Sequence, residues 1–431
     1  MKRYDAIVVG AGPAGASAAL GMASKGLRVA MVERGETAGS KNMFGGMIPN
    51  CPAAEELLPG FWERAPWERH VVKRTLTILS EAAATSLVFE SDNFDSPPYN
   101  GYTLFRPVFD RWYAQEAANA GATLLTSCLA EELLIENGSV RGVRIGRDAG
   151  EIHAPVTILC DGVLSTLARK LGLCKPLPAL DTALGIKALF RLKEQEINDR
   201  FGLVRRQGAS CEFLGCTEGI RGGGFIYTQT ETLSVGLVTH LDSLKASGVA
   251  PYELLQRFLA REPVGKLLKG AQLVEYSGHV LPEGGYKLVP QLFARGLLLA
   301  GDAGGLCYTN GLNQEGMNLA ITSGALAAET VCEAFERGDF SERQLSGYVG
   351  RLKDSFVLRD MSTFAKTAGL MHNDRLFSVY PNLVGAVMEE LYRSDGLPKK
   401  SMGKVAWDSV RDAAPLRVFI LDLLKGGGSV I

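Results

Sequence analysis

The sequence predicts an α/β protein in which a Rossmann-like dinucleotide-binding domain is interrupted by an inserted antiparallel-sheet domain and followed by a C-terminal helical region. Three observations carry that expectation. A glycine-rich turn follows the first apolar run. Two later apolar runs each end at an Asp beside a Gly, and the stretch between them contains segments that alternate with the two-residue period of strands. At 431 residues the chain exceeds one ordinary domain, and 46% hydrophobic against 22% charged residues is the balance of a folded, soluble protein rather than a disordered one. Net charge is −1, so no electrostatic footprint for nucleic acid is visible.

Asp5-Ala-Ile-Val-Val9 is a short β-branched run of the kind found in buried parallel strands. Gly10-Ala-Gly-Pro-Ala-Gly15 follows at once, then a helix-forming stretch from Ala16 to Lys25 and a second strand from Arg28 to Val32 that ends in Glu33. This is the order of a dinucleotide fold. Gly10 permits the tight turn, Gly12 lets backbone approach a pyrophosphate, and Gly15 lets helix and strand pack closely. Pro13 and Ala14 open the helix, whose N-terminal N–H groups favour phosphate. Glu33 is placed to accept hydrogen bonds from the hydroxyls of an adenosine ribose. The run from Ala6 to Ser24 imitates a secretory signal, but Asp5 and the glycines argue against one. With eight scattered Cys and no CxxC pair, the expectation is a reduced, cytoplasmic protein.

Two further segments choose between NAD and FAD. Val156-Thr-Ile-Leu-Cys160 ends in Asp161-Gly162, with Ser165 and Arg169 opening a helix beyond; Gly296-Leu-Leu-Leu-Ala300 ends in Gly301-Asp302. Asp302 would sit at the carboxyl end of a parallel strand, where it can hold a ribityl hydroxyl. Gly311-Leu-Asn-Gln-Glu-Gly-Met-Asn318 then starts a long helix through Arg337, and its N-terminus would face the anionic side of a reduced isoalloxazine. Together these predict non-covalent FAD, with Gly311, Asn313, Gly316, Met317 and Asn318 among its contacts.

The flavin signals are scattered, so the FAD domain is expected to be discontinuous: 1–82, 105–177 and 287–338. Residues 83–104 and 178–286 are expected to form the substrate domain, in which Gly224–Gln229 and Leu233–Thr239 alternate as strands with one covered face. Residues 339–431 are expected to be helical and mildly basic, with Gly426 to Ile431 a flexible end.

Three segments carry a resemblance. Gly39-Ser-Lys-Asn-Met-Phe-Gly-Gly46, His279-Val-Leu-Pro-Glu-Gly-Gly-Tyr-Lys287 and Glu315-Gly-Met-Asn-Leu-Ala-Ile-Thr-Ser-Gly324 are similar to FAD enzymes of the glutathione-reductase type. Within the geranylgeranyl reductase and p-hydroxybenzoate hydroxylase superfamily, they resemble the FixC family, relatives of electron-transfer-flavoprotein:quinone oxidoreductase. The likeness runs from residue 1 to about 340 and is looser beyond. It implies electron transfer from an electron-transfer flavoprotein, with its alpha and beta subunits, to a quinone at the membrane, and a peripheral contact with the cytoplasmic membrane face. In related systems the flavoprotein pair can bifurcate electrons. Larger relatives carry a four-Cys iron–sulfur cluster near their C-terminus; here only Cys332 follows Cys307, too few thiolates for a [4Fe–4S] cluster. The resemblance therefore implies a separate ferredoxin-like subunit of the FixX type holding that cluster.

Arg106, at the start of a helix, either contacts FAD as the resemblance implies or caps a local carboxylate. Ala130 resembles the strand edge that holds adenine. Gly45, Gly46 and Met47 are expected to wall the flavin pocket, with Arg34 and Lys41 as further cofactor contacts. The five His show no metal-ligand spacing, so no metal site is expected. Cys211 and Cys216 are expected to be ordinary buried thiols. Flavin chemistry needs a shaped site more than a nucleophile, and His279 and Tyr286 are the candidates to hydrogen-bond a quinone carbonyl. Competing readings are a prenyl reductase of the geranylgeranyl reductase type, an FAD-dependent aromatic hydroxylase, and a prenyl-protein carrier of the Rab GDP-dissociation-inhibitor type. The intact Glu33, Asp161-Gly162 and Gly301-Asp302 speak against the carrier.

Overall fold

A computed structural model describes residues 2–41, 46–146 and 150–430, without the side chains of Lys2 and 426–430. Its nucleotide half is a six-stranded sheet in the order Phe293–Ala294, Leu297–Leu299, Val156–Leu159, Ala6–Val9, Val29–Val32 and Thr123–Leu125. All neighbours run parallel except the first pair. The central strands are buried on both faces, which is why they appear in the sequence as unbroken apolar runs. The helices Pro13–Ala23 and Met317–Arg337 cover the sheet, and small residues set their approach. A Cβ built on Gly324 would lie 2.1 Å from the Ala14 carbonyl oxygen. A smaller four-stranded sheet, Lys2–Arg3, Gly150–His153, Ser139–Ile145 and Ala130–Glu136, flanks this half.

The second half is built on a nine-stranded sheet. Its order is Gln272–Pro282, Thr182–Arg191, Thr232–His240, Gly222–Thr228, Gln207–Leu214, Trp67–Leu79, Gly101–Leu104 and Gly46–Pro49, with Ala84–Glu90 paired on Trp67–Leu79. The pairings are antiparallel except between Gln207–Leu214 and Trp67–Leu79. Two of these strands, Gly46–Pro49 and Trp67–Leu79, lie within the 1–82 stretch that the sequence groups with the nucleotide domain. The sheet's strands Thr182–Arg191 and Thr232–His240 are covered on both faces rather than one. Ile186, Ala188, Val235 and Leu237 pack on one side with Ile197, Leu254 and Phe258 from helices Glu194–Phe201 and Pro251–Ala260. On the opposite side Lys187 lies beside Arg106 of the nucleotide half.

Arg69 ties the large sheet together. It is 1% exposed, and its guanidinium donates to the carbonyls of Gln229 at 2.8 Å, Gln207 at 2.8 Å and Thr230 at 3.2 Å, and to Asn198 Oδ1 at 2.7 Å. Arg69→Met strands those acceptors without donors, and we expect it to lower folding stability by about 3 kcal/mol. An unchanged denaturation midpoint would contradict this.

Beyond residue 339 the chain is helical, and the last helix, Leu416–Val430, continues through the glycines expected to be a flexible end. Glycine lowers helix propensity but keeps its N–H donor, so the ladder can persist. Among the described residues no helix is long and apolar enough to cross a membrane.

Candidate functional site

The glycine turn fits its expected parts. Gly10 has φ +98°, and a Cβ there would lie 2.3 Å from the Cys160 carbonyl oxygen. A Cβ on Gly15 would lie 1.9 Å from the Gly10 carbonyl oxygen, whereas one on Gly12 would meet nothing within 4 Å. The turn is thus sealed toward the sheet and open at Gly12, above the N-terminus of helix Pro13–Ala23. Glu33 is held beside it, accepting from Ala11 N at 3.0 Å and Gly35 N at 2.7 Å. Cys128 N donates to the Glu33 carbonyl at 2.9 Å, which brings the strand edge at Ala130 next to this corner.

The Asp-Gly strand ends converge on the same cleft. Asp161 accepts from Ser165 Oγ at 2.8 Å, and burial pushes its carboxyl up to about 6. Arg34 lies within Coulombic reach of both Asp161 and His279. Asp302 sits in the turn Gly301–Gly304; burial raises its carboxyl, and the charge of Arg106 opposes that rise. Arg106 pairs with a local carboxylate, forking onto Asp110 at 3.0 and 2.9 Å, and also faces Asp302. Across the cleft, Asn313 accepts from Arg74 at 3.0 Å, and Met47 Sδ lies 3.4 Å from the same guanidinium. Gly311 has φ +93°, and Gly316 caps the helix Met317–Arg337.

These residues fit a bound FAD. Asn318 donates to Glu315 at 2.7 Å, yet its buried Oδ1 has no partner among the described residues. A Cβ on Gly46 would meet nothing within 4 Å, leaving an open wall. Gly45 lies outside the described residues, and Lys41 is exposed at their edge. Cys211 and Cys216 are free buried thiols.

The two candidates for substrate contact are placed differently. His279, on the strand Gln272–Pro282, faces the cleft, and burial followed by the charges of Arg106, Arg34 and Lys187 lowers its pKa, so its imidazole is held neutral. Tyr286 lies in the turn Gly285–Leu288 and is 39% exposed. That turn is pinned from behind: Lys287 pairs with Asp181 at 2.6 Å, and Gln314 Nε2 donates to the Pro282 carbonyl at 3.2 Å.

Sequence reasoning missed several residues here. Lys187 is buried on the strand Thr182–Arg191, opposite Gly236, with its ammonium over the ring of Phe225. Glu283 is also buried, which pushes its carboxyl up to about 7. One signal was available for Lys187, the lone charge in the apolar run between Asp181 and Arg191.

Three family models match the chain. Residues 5–168 match an FAD dependent oxidoreductase model, 182–281 the ubiquinone-binding model of ETF-QO, and 367–431 the ETF-QO/FixC family C-terminal domain. The chain is 40% identical over 429 residues to a probable electron transfer flavoprotein-quinone oxidoreductase, YdiS, of Escherichia coli, covering 99% of this chain and 97% of that one. It is 40% identical to protein FixC of Escherichia coli, over 93% of each chain, and 38% identical to protein FixC of Azotobacter vinelandii, over 94% and 93%. In fold it is similar to a geranylgeranyl bacteriochlorophyll reductase-like protein of Thermoplasma acidophilum, with a TM-score of 0.74 at 23% identity over 98% of this chain and all of that one. A myxobacterial FAD-dependent halogenase shares the fold at a TM-score of 0.62 and 18% identity, over 100% of this chain and 91% of that one. An FAD cleft facing a segment that matches a ubiquinone-binding model, in a chain alike to these relatives along nearly all its length, makes this protein an FAD oxidoreductase of the ETF-QO/FixC family.

Proposed function

We propose that this chain takes electrons from an electron-transfer flavoprotein and passes them through FAD to a membrane quinone, as the FixC-like subunit of an electron-transfer complex. The observation that carries this reading is that the segment matching the ubiquinone-binding model, 182–281, contributes Lys187 and His279, which lie beside Arg106 of the nucleotide half. Bound FAD supplies a carrier that accepts and returns electrons. The chain's own work is to hold and orient. In this reading Glu33 and Asp302 hold cofactor hydroxyls, Asp161 is a further cofactor contact, the open turn at Gly12 leaves room for phosphate, and the imidazole of His279 hydrogen-bonds a carbonyl oxygen. The partners in this reading are the two subunits of the flavoprotein and a ferredoxin-like subunit carrying a [4Fe–4S] cluster. The chain meets the membrane peripherally, and in related systems the flavoprotein pair can bifurcate electrons. Arg34, Lys41, Gly45 and Ala130 complete the proposed cofactor contacts.

The donor is tested by mixing. Anaerobic addition of a reduced electron-transfer flavoprotein of a FixC system is expected to bleach the flavin of this chain, while NADH alone leaves it oxidised. Direct, rapid reduction by NADH or NADPH would favour the hydroxylase or prenyl reductase reading instead.

A further inference from the structure

Lys187 stands where the large sheet meets the flavin cleft. It lies opposite Gly236 on one neighbouring strand and Ser277 on the other. With no side chain at Gly236, the ring of Phe225 fills the space, and a Cβ at that glycine would lie 2.5 Å from Phe225 Cζ. The Lys187 ammonium sits over this ring, 5.3 Å from its centroid, and Phe225 in turn stacks on Tyr227 at 4.8 Å with 21° between planes. Beyond this shelf come Glu212, hydrogen-bonded to Ser210, and Arg74, which is tied to Asn313. Toward the nucleotide half, Lys187 lies beside Arg106 and His279; Arg34 is near His279, and Arg106 in turn pairs with Asp110 and faces Asp302. A buried cation beside another cation is destabilised, and negative charge arriving in the same cleft restores its proton.

We propose that Lys187 is the proton-exchanging group of this site: its Nζ takes up a proton when the bound flavin gains electrons and gives it back when a two-electron acceptor removes them. The step balances. Two electrons and one proton leave the reduced flavin, the Lys187 ammonium supplies the second proton, and a quinone's two carbonyl oxygens become hydroxyls. The neutral amine regains a proton from water when the flavin next gains electrons. Burial and then the charge of Arg106 pull the ammonium down to about 7, so the exchange falls in the physiological range. The proposal rests on FAD occupying the cleft and is independent of which partner delivers electrons.

The test measures the flavin midpoint potential, by reductive titration against an indicator dye, from mildly acidic to mildly alkaline pH in wild type, Lys187→Met and Lys187→Arg. Wild-type potential is expected to fall more steeply above neutrality, where reduction carries an extra proton to Lys187. K187M is expected to lie below wild type on the acid side, by about tenfold in the reduction equilibrium or ~30 mV for a two-electron couple, and to meet it at alkaline pH. K187R stays charged, so its potential stays high without the steepening. A wild-type profile that does not steepen, or a K187M profile that keeps the steepening, overturns the proposal. Should K187M fail to retain FAD, the wild-type and K187R profiles decide. No quinone enters the measurement, so a protein that shows this pattern yet ignores quinone would sink the proposed function and leave Lys187 in its role.

Discussion

Gly15→Ala is expected to unseat the cofactor and destabilise the fold at once. The added Cβ would lie 1.9 Å from the Gly10 carbonyl oxygen and 3.2 Å from Val8 Cγ1. Neither can yield easily, because Gly10 is itself pressed on the backbone of Cys160. Overpacking of this kind costs about 1–3 kcal/mol, and it displaces the helix N-terminus that would receive the phosphates. We expect the apo-protein to melt earlier and the flavin-to-protein absorbance ratio to collapse. Gly12→Ala provides the contrast, since its Cβ meets no protein atom within 4 Å. That variant should fold normally and still lose FAD, because the only thing its methyl obstructs is the ligand. Full flavin retention in G12A would mean that the turn is not the phosphate site.

Asp302→Ala is expected to weaken FAD binding by roughly ten- to a hundredfold, the equivalent of one hydrogen bond to a charged group at about 1.5–3 kcal/mol. The fold should survive, because Arg106 keeps its fork on Asp110. Titration of apo-protein with FAD reads the loss directly. Undiminished affinity would remove Asp302 from the cofactor contacts.

The nucleotide half was legible for a physical reason. Strands buried on both faces in a parallel sheet appear as unbroken apolar runs, and the turns that follow them require glycines at particular places. Ala6–Val9, Val156–Leu159 and the helix Met317–Arg337 therefore stand out without any knowledge of their neighbours. The large sheet is different. Trp67–Leu79 carries Glu68, Arg69, His70, Lys73 and Arg74, which hide its apolar period, and it pairs in parallel with a strand more than a hundred residues away. The faces of Glu212 and Arg74 follow from that distant register, so no local pattern could assign them. His279 was recognisable from its segment; that its imidazole shares a cleft with Arg106, Arg34 and Lys187 depends on how the two halves pack.

The central claim is that the flavin of this chain delivers electrons to a quinone. Reduce the FAD-loaded protein with light under anaerobic conditions, add a soluble short-chain quinone, and follow the return of visible flavin absorbance beside free reduced FAD. The account predicts reoxidation that is faster than that of the free cofactor and saturates with quinone. Reoxidation no faster than free FAD, with no saturation, would contradict it.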